Sequence, residues 1–589
     1  MNQVTATAPT EPIKAQRMNN AGVANSQAFR DKGERSVVSR FVLPAILLLV
    51  YLLQCAWFIQ SQSLTFDEPI NIVSGLEEWR TGQYSGGMGM TDHPPLARLL
   101  CTLPAIESRF QIDDKVVPTP ESVAWHNSDF ASYGRVLPSP EAITWHTRPV
   151  NAILGTVLGL LLWFAARGLY STHAANFVLA LFAFSPSLIA HFSLAATNDG
   201  AMTLMLFATV LQLARWRQHQ SWAQALLMGF ALGGMLLTKA SSVPFFVMAV
   251  VLMLVLKHDS IAILPSRWNW RQTLTAIVIS GLVVWGAYRF HISKLTLTAT
   301  QAHMSIAVPD RPDQITRDLA MPIHVSLPIP AFEYARAIAF QLFHDKAGHP
   351  AFLLGRNYIG GSRLYFPVTL ALKWPIVTLL LLTVAIGLIC FRRTKLPRNF
   401  WLWSAFPVIY LALAEISNLN LGERYILPAY PFALLACGSV WQYTRRRPVV
   451  AAVLLLTLAI HVADVMRYAP DYLSYFNPFV RSDRSYRLLS DSNVDWGQGL
   501  VALRKYQDLH PNVPIHLAYF GSVDPAVYGI RAIPLMPNER VSGTVVVSAT
   551  YLTGQTLPDP NGYHWVLQYP VESVVNHSLY IFSTSGRGK

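Results

Sequence analysis

Two adjacent carboxylates, Asp67 and Glu68, stand in the segment TFDEP at 65–69, directly after an apolar run. One carboxylate can take the proton of a hydroxyl group, while its neighbour orients an acceptor or binds a cation. Two charges beside an apolar run are costly to dehydrate, so we expect them to face an aqueous cavity or a partner. A solvated helix cap is the alternative, because acidic residues are favoured near helix N-termini.

Two further groups that could transfer or accept protons lie later in the chain. His93 precedes Pro94 and Pro95, which hold the backbone extended, so its imidazole would occupy a rigid position. A lone histidine is, however, more often a structural hydrogen-bonding group. Asp199 follows the third apolar run and is predicted on the same membrane face as Asp67, with an N-cap of the next helix as the alternative.

Cationic residues that could hold a phosphate also lie at the ends of apolar runs. Arg424 belongs to the segment NLGERYILP at 420–428, where a guanidinium can bind a phosphate bidentately, and we predict that Arg424 and Tyr425 contact substrate. Lys239 lies in a tight turn between two apolar runs. A salt bridge for Arg424 and snorkelling for Lys239 are the alternatives. Arg356 and Arg363 are weaker candidates for the same task.

The composition indicates the class of protein that must position these groups. Of 589 residues, 52% are hydrophobic and 13% are charged, against roughly 25% charged in soluble domains, so we predict a polytopic membrane protein. The net charge is +13, and basic residues cluster in short loops between apolar runs. Nucleic-acid binding needs a continuous basic face, so no nucleic-acid partner is expected. Nucleotide-hydrolysis and zinc-protease motifs are absent from the sequence.

Eleven apolar runs predict eleven membrane crossings, near 41–60, 149–166, 174–193, 200–214, 223–238, 242–256, 273–290, 366–390, 400–416, 425–443 and 449–468. With the N-terminus inside, the inner loops hold thirteen basic residues and the three short outer loops hold two, which agrees with the positive-inside rule. The predicted fold is therefore mainly α.

The loops between these runs divide the chain into three predicted regions. They are a disordered cytoplasmic tail at 1–40, a membrane domain at 41–468 with outer loops at 61–148 and 291–365, and an extracytoplasmic α/β domain at 469–589. In the last region, 496–509 has helical spacing. The segments 514–520, 544–550 and 578–582 are rich in β-branched and aromatic residues, which favours strands.

The order of these motifs resembles that of the GT-C superfamily of lipid-carrier-dependent glycosyltransferases. The branch that contains protein O-mannosyltransferases and the aminoarabinose transferase of lipid A is the most similar. The resemblance rests on Asp67 and Glu68 after the first helix, HPPL at 93–96, Asp199, GRNYIGGSRLYFP at 355–367 and RYILP at 424–428. The segment DSNVDWGQ at 491–498 resembles one that is common in bacterial members. The resemblance spans roughly 40–530.

The resemblance implies a GT-C fold and inverting transfer of a sugar from a polyprenyl-phosphate donor to a protein, lipid or glycan acceptor. Asp67 would be the general base if the acceptor is a hydroxyl, Glu68 would assist it and Asp199 would shape the site. Arg424, with Lys239, would hold the donor phosphate. Many relatives have Asn in place of His93, which leaves its role open.

The resemblance also bears on the location of the protein in the cell and on whether the reaction needs a metal ion. The chain would be a multi-pass protein of the inner (plasma) membrane, with its N-terminus in the cytoplasm and its C-terminal domain in the periplasm or outside the cell. An ER lumen is the alternative compartment, and the segment 491–498 favours bacteria. No cofactor is implied. The first outer loop lacks a D-x-D motif, which disfavours the metal-dependent mode of oligosaccharyltransferases and leaves a divalent cation as an open alternative.

Two other functions fit the same composition. A transporter or flippase of a lipid-linked sugar would use similar cations, but it predicts essential polar residues at midplane depth, where the sequence offers Asp464 and a few His and Ser. A membrane scaffold that displays the C-terminal region is the second alternative. The sequence does not identify the sugar or the acceptor.

Overall fold

The computed structural model describes residues 40–82, 84, 93–106, 139–255, 269–300, 303–305, 316–317, 325–391 and 400–584. The tail predicted at 1–40 lies outside the described residues except for Arg40. Most of the described chain is α-helical, as predicted.

Eighteen α-helices lie in the described residues. They are α1 (Arg40–Ser61), α2 (Glu68–Thr81), α3 (Leu96–Thr102), α4 (Pro140–Leu169), α5 (Thr172–Ala183), α6 (Pro186–Phe192), α7 (Asn198–Gln218), α8 (Trp222–Leu236), α9 (Ser242–Val255), α10 (Trp270–Ala287), α11 (Phe332–Ala347), α12 (Tyr365–Lys373), α13 (Ile376–Cys390), α14 (Phe400–Ile416), α15 (Tyr430–Cys437), α16 (Pro448–Met466), α17 (Leu500–Leu509) and α18 (Ala549–Thr553).

Three described helices, α1, α4 and α16, are long and apolar enough to cross a membrane by themselves. Up to five crossings result if the bent pairs α5–α6 and α12–α13 each count as one. Large apolar side chains on α1 face outward, such as Leu49 and Leu53, which are 56% and 60% exposed, as expected for a lipid-facing helix. The number of eleven crossings stays a prediction.

Proline explains where three predicted apolar runs depart from single helices. The run at 366–390 bends by 114° between α12 and α13, next to Pro375, and the run at 174–193 bends by 63° before α6, which begins at Pro186. The run at 425–443 begins as a 3₁₀-helix, Glu423–Ala429, and is α-helical only over α15. Proline has no backbone N–H, so it interrupts the regular bonding of a helix.

The strands in the described residues form three sheets. In the segment predicted as the second outer loop, β1 (Ile292–Thr300), β2 (His303–Ser305), β3 (Thr316–Arg317) and β4 (Val325–Pro330) pair antiparallel in the order β3-β2-β1-β4. A hairpin of β5 (Pro350–Leu353) and β6 (Arg356–Ile359) precedes α12. It turns at Leu354 and Gly355, which both have positive φ, a conformation that costs glycine little.

The C-terminal region carries a five-stranded mixed sheet. Its strands are β7 (Ile515–Ala518), β8 (Ile533–Pro534), β9 (Thr544–Ser548), β10 (Val571–Val575) and β11 (Leu579–Ser583), in the order β10-β11-β9-β7-β8. β7 is parallel to both β8 and β9, and the other pairs are antiparallel. β7 and β9 lie inside the segments predicted at 514–520 and 544–550, and β11 extends one residue beyond the segment predicted at 578–582. α17 lies inside the predicted helix.

The segment 491–498 of this region is bonded to the end of α1 and to the start of α2. The backbone N–H of Ser63 donates to the carbonyl of Gln498 at 3.0 Å, and that of Phe66 donates to the carbonyl of Trp496 at 2.8 Å. The buried Lys373 of α12 donates to the carbonyls of Leu473 and Asn493 at 2.9 and 2.6 Å. These bonds place 491–498 beside the predicted site residues.

Candidate active site

A cavity of about 370 Å³ lies where the start of α2, the start of α7, the turn after α8, the 3₁₀-helix 423–429 and the segment 491–498 meet. Six of the nine predicted site residues line it, namely Asp67, His93, Asp199, Lys239, Arg424 and Tyr425. Glu68, Arg356 and Arg363 do not. The structure thus brings together two of the three acidic candidates and two of the four candidates for phosphate binding from distant parts of the chain.

Asp67 and Arg424 form an ion pair at the cavity wall. Nη1 of Arg424 donates to Oδ2 of Asp67 at 3.0 Å, and Nε donates to the carbonyl of Leu421 at 3.1 Å. The guanidinium carbon lies 4.2 Å from the ring centroid of Trp496, in cation–π contact. Although burial opposes it, the neighbouring carboxylates of Asp67 and Asp199 raise the pKa of Arg424, so this cation stays charged.

The Asp67 side chain remains available to the cavity. It is 40% exposed, against 12% for Arg424. Asp67 occupies the N-cap position of α2, yet its carboxylate accepts no capping bond from that helix. The carboxylate therefore makes no capping hydrogen bond, while its position at the helix N-terminus is the one that the helix-cap alternative predicts.

Asp199 and Lys239 form a second, more deeply buried ion pair. Nζ of Lys239 donates to Oδ1 of Asp199 at 2.6 Å, and both side chains are at most 6% exposed. Nζ also lies 3.6 Å from the ring centroid of Tyr425, whose other neighbour is the Arg424 guanidinium at 5.7 Å. Burial lowers the pKa of Lys239, while Asp199 opposes that shift. Tyr425 therefore lies between the two cations of the site.

His93 faces these charges as a neutral imidazole. Burial, followed by repulsion from Lys239, lowers the pKa of His93 to about 3. Its Nδ1 has no hydrogen-bond partner among the described residues. The backbone at His93 is held by Arg98, which donates to the His93 carbonyl at 2.7 Å and pairs with the buried Glu78. His93 can therefore exchange hydrogen bonds with a bound molecule without adding charge.

Glu68 is directed away from the cavity, into the protein. Its carboxylate accepts hydrogen bonds from Arg148 of α4 at 2.9 and 2.7 Å and from the backbone N–H of Thr65 at 2.7 Å. The Arg148 guanidinium also donates to the carbonyls of Gln62 and Ser63, at 2.8 and 2.7 Å. This buried pair fixes the end of α1 against α4, and so positions the segment that carries Asp67.

Arg356 and Arg363 lie at the surface. Arg356 is an exposed residue of β6, and Nη1 of Arg363 donates to the carbonyl of Glu415 at 2.9 Å. The sequence analysis did not identify Arg148 as a residue that supports the site. A single Arg at the edge of an apolar run does not indicate that its partner is Glu68, 80 residues away.

The segment 491–498 also contributes residues that the sequence analysis did not assign to the site. Asp491 and Trp496 line the cavity. Ser492 Oγ donates to the carbonyl of Leu421 at 2.7 Å, and Oδ1 of Asn493 accepts from the backbone N–H of Glu423 at 3.0 Å. These bonds hold the backbone that carries Arg424. The signal that the sequence offered was the motif DSNVDWGQ at 491–498, and the sequence analysis assigned no role to that motif.

In the part of the chain that the structure describes, no group of three or more His, Cys, Asp or Glu side chains is arranged to hold a metal ion. What the cavity offers is two cations for an anionic group, one accessible carboxylate as a proton acceptor and a neutral imidazole. This set can bind a phosphate ester and accept a proton from a hydroxyl.

Three solved structures are similar to this chain at low identity. The S. cerevisiae protein O-mannosyltransferase complex bound to the sugar donor has 11% identity and a TM-score of 0.48, over 73% of this chain and 90% of that one. ArnT from Cupriavidus metallidurans bound to undecaprenyl phosphate has 13% identity and a TM-score of 0.43, over 93% and 98%. The oligosaccharyltransferase AglB from Archaeoglobus fulgidus, in complex with an inhibitory peptide and a dolichol-phosphate, has 10% identity and a TM-score of 0.41, over 86% and 71%.

No curated protein sequence matches the chain. Residues 142–285, from α4 to α10, match the family model described as dolichyl-phosphate-mannose-protein mannosyltransferase. The matched range includes Asp199 and Lys239, which line the cavity, and Arg148, which holds Glu68. This match confirms the resemblance to the GT-C glycosyltransferases of the protein O-mannosyltransferase type.

Proposed function

We propose that the chain is a membrane-embedded glycosyltransferase that moves a sugar from a polyprenyl-phosphate donor to an acceptor on the extracytoplasmic face, with inversion. The observation that carries the proposal is the shared cavity of Asp67, Lys239 and Arg424. The description of the matched family names a dolichyl-phosphate-linked mannose, which supports a lipid-phosphate donor. The extracytoplasmic location and the eleven crossings rest on the distribution of basic residues between the loops.

The donor phosphate binds between Lys239 and Arg424 in this proposal. Both cations are buried, and in the structure each is compensated by a carboxylate, at 2.6 Å for Lys239 and 3.0 Å for Arg424. A buried cation needs such a partner, because an unpaired charge is costly away from water. A phosphate oxygen can replace Asp67 on Arg424 because the Asp67 side chain is the more exposed of the two carboxylates.

The same exchange would prepare Asp67 to act as a base. When Arg424 turns to the phosphate, the Asp67 carboxylate loses its ion-pair partner and is free to accept a hydrogen bond from the acceptor hydroxyl. The acceptor hydroxyl oxygen then attacks the anomeric carbon, and the bond from that carbon to the phosphate oxygen breaks. The electron pair of that bond leaves on the phosphate, and the hydroxyl proton passes to Asp67. A phosphate acceptor would need positioning by Asp67 rather than deprotonation.

The remaining groups support this step. Asp199 holds Lys239, Tyr425 separates the two cations, and His93 supplies a neutral hydrogen-bonding group beside them. Glu68 acts through its bond to Arg148, by fixing the segment of Asp67. Arg356 and Arg363, which lie outside the cavity, take no part in the proposed mechanism.

The test compares purified full-length protein with Asp67→Asn, using a radiolabelled polyprenyl-phosphate sugar and acceptors identified by mass spectrometry of cells with and without the gene. We expect Asp67→Asn to abolish transfer to a hydroxyl and to bind sugar-free polyprenyl phosphate more tightly, because Arg424 no longer has a competing carboxylate. The surface variant Arg363→Ala is the matched control and should retain transfer. Full transfer by Asp67→Asn would refute the assignment of the base, and movement of labelled lipid without product would favour a flippase.

A further inference from the structure

The cavity has a second polar region that the proposed mechanism does not use. It is lined by Gln341 and His344 of α11, His349, Asp491 and Thr556, and we call it the distal subsite. Its residues come from the second outer loop and from the C-terminal region, whereas the phosphate-binding cations come from the turn after α8 and the 3₁₀-helix. The two regions share one cavity with Asp67 and Arg424.

Asp491 is the charged group of the distal subsite. It is 6% exposed, and among the described residues no Lys or Arg lies within ion-pair distance of its carboxylate. Oδ1 accepts from the backbone N–H of Ser492, and Oδ2 lies 3.5 Å from Nε2 of Gln555. A buried carboxylate with so few partners is costly, so a ligand that donates hydrogen bonds to it would be stabilising.

The backbone and the electrostatics at Asp491 support a role of this kind. Its φ of 56° lies in the left-handed region, which non-glycine residues seldom adopt and which is frequent at functional sites. Burial raises the pKa of Asp491, while Arg424 opposes that shift. The carboxylate therefore lies within electrostatic range of the phosphate-binding guanidinium.

Aromatic rings also line the cavity. Trp496, Phe66 and Phe520 all contribute to the wall, and the rings of Phe66 and Phe520 stack at 5.1 Å. Ligand sites of this size combine apolar and aromatic walls with a few polar groups that fix orientation. A pyranose ring presents both kinds of surface, since its C–H face is apolar and its hydroxyl groups lie at the rim.

We propose that the distal subsite, with Asp491 as its principal acceptor, binds the hydroxyl groups of the sugar that is transferred. The proposal rests on the proposed function, because the phosphate held by Lys239 and Arg424 fixes where the attached sugar begins. The sugar is joined to that phosphate through one oxygen, so its ring lies along the aromatic wall. Its hydroxyl groups then reach Asp491 and the neighbouring His349. Asp491 would thus help determine which sugar is accepted.

The experiment measures binding of two probes to full-length protein in nanodiscs: sugar-free polyprenyl phosphate, and polyprenyl phosphate carrying mannose or glucose. In the wild type, the preferred sugar should strengthen binding. In Asp491→Ala we expect this gain to fall by about tenfold or more, as for the loss of a charged acceptor. Sugar-free lipid should bind at least as tightly as to the wild type, because the lost carboxylate lies within electrostatic range of Arg424. Retained binding of the sugar-free lipid shows that the variant is folded.

Asp495→Asn is the matched control. Asp495 belongs to the same segment and is fully buried, but it does not line the cavity, and its carboxylate accepts from the backbone N–H groups of Gly497 and Thr550, each at 3.2 Å. This variant should keep the gain in affinity from the sugar. Asp491→Asn, which keeps an acceptor oxygen, should lose less of the gain than Asp491→Ala.

Three results would count against the proposal. If Asp491→Ala retains the gain from the sugar and instead raises KM for the acceptor, the distal subsite binds the acceptor and the proposal is wrong. If the wild type binds sugar-free lipid but gains nothing from either sugar, the proposal is also wrong while the phosphate site stands. If sugar-free lipid does not bind, or binds equally well to Arg424→Ala, the proposed function itself fails.

Discussion

Replacing Arg424 by Lys tests whether the guanidinium is needed for more than its charge. The substitution keeps one positive charge but removes the planar group that reaches Asp67 at 3.0 Å and the Leu421 carbonyl at 3.1 Å while it stacks on Trp496 at 4.2 Å. A charge-assisted hydrogen bond contributes about 1.5–3 kcal/mol, and the cation–π contact about 0.5–2 kcal/mol. The sum of about 2–5 kcal/mol corresponds to a factor of about 30 to 4,000.

Because Lys retains the charge, the effect should lie at the lower end of that range. We expect kcat/KM for the polyprenyl-phosphate donor to fall about 30- to 150-fold in Arg424→Lys, measured as initial rates of radiolabelled sugar transfer. Arg363→Lys is the control, because it alters an exposed guanidinium that is bonded to a backbone carbonyl. Its kcat/KM for the donor should stay within about twofold of wild type. A rate within about threefold of wild type for Arg424→Lys would refute the argument that planar, bidentate geometry matters here.

Three further outcomes follow from the same contacts. Glu68→Gln should lower the free energy of unfolding by about 3–5 kcal/mol, because it leaves Arg148 buried and uncompensated, and Glu68→Gln with Arg148→Met should recover part of the loss in thermal denaturation. Trp496→Leu should raise KM for the donor about two- to thirtyfold through the lost cation–π contact, and Trp496→Phe should restore most of it. The folded-state pKa of His93, about 3, lies below its unfolded value, so His93 reduces stability as pH falls from about 6.5 towards 3. His93→Asn should therefore lose less stability than wild type between pH 7 and pH 4 in urea unfolding, and equal losses would contradict the buried, neutral imidazole.

Local pattern was sufficient to predict the helical class and the candidate residues of the site. Apolar runs, acidic residues after the first run and the Arg that begins RYILP are all local features, and six of the nine candidates line one cavity. Local pattern was not sufficient to place Glu68. The carboxylate next to Asp67 is turned inward by a bond to Arg148, 80 positions away, and such a pairing depends on how α1 and α4 pack.

Local pattern was also not sufficient to predict how the C-terminal region contributes to the cavity. Its strands could be predicted from β-branched residues, but its packing against the membrane part depends on backbone bonds such as those of Ser63 and Phe66 to the segment 491–498. Backbone groups are common to all residues, so these bonds leave no pattern in the sequence. For that reason Trp496 and Asp491 could not be assigned to the cavity from their own positions, although the motif around them was visible.

The ion pair of Asp67 and Arg424 links the charge changes of the proposed reaction. During transfer, one negative charge appears on the leaving phosphate, and one disappears from Asp67 as it takes the hydroxyl proton. In the proposal, Arg424 contacts Asp67 at rest and the phosphate during transfer, so the loss of charge on Asp67 and the gain on the phosphate leave the total charge of the cavity unchanged. A buried site can hold a constant charge with fixed partners, whereas a change in net charge would need water to reorganise. In the proposed mechanism, the pair seen at 3.0 Å is therefore the resting half of an exchange that the phosphate completes.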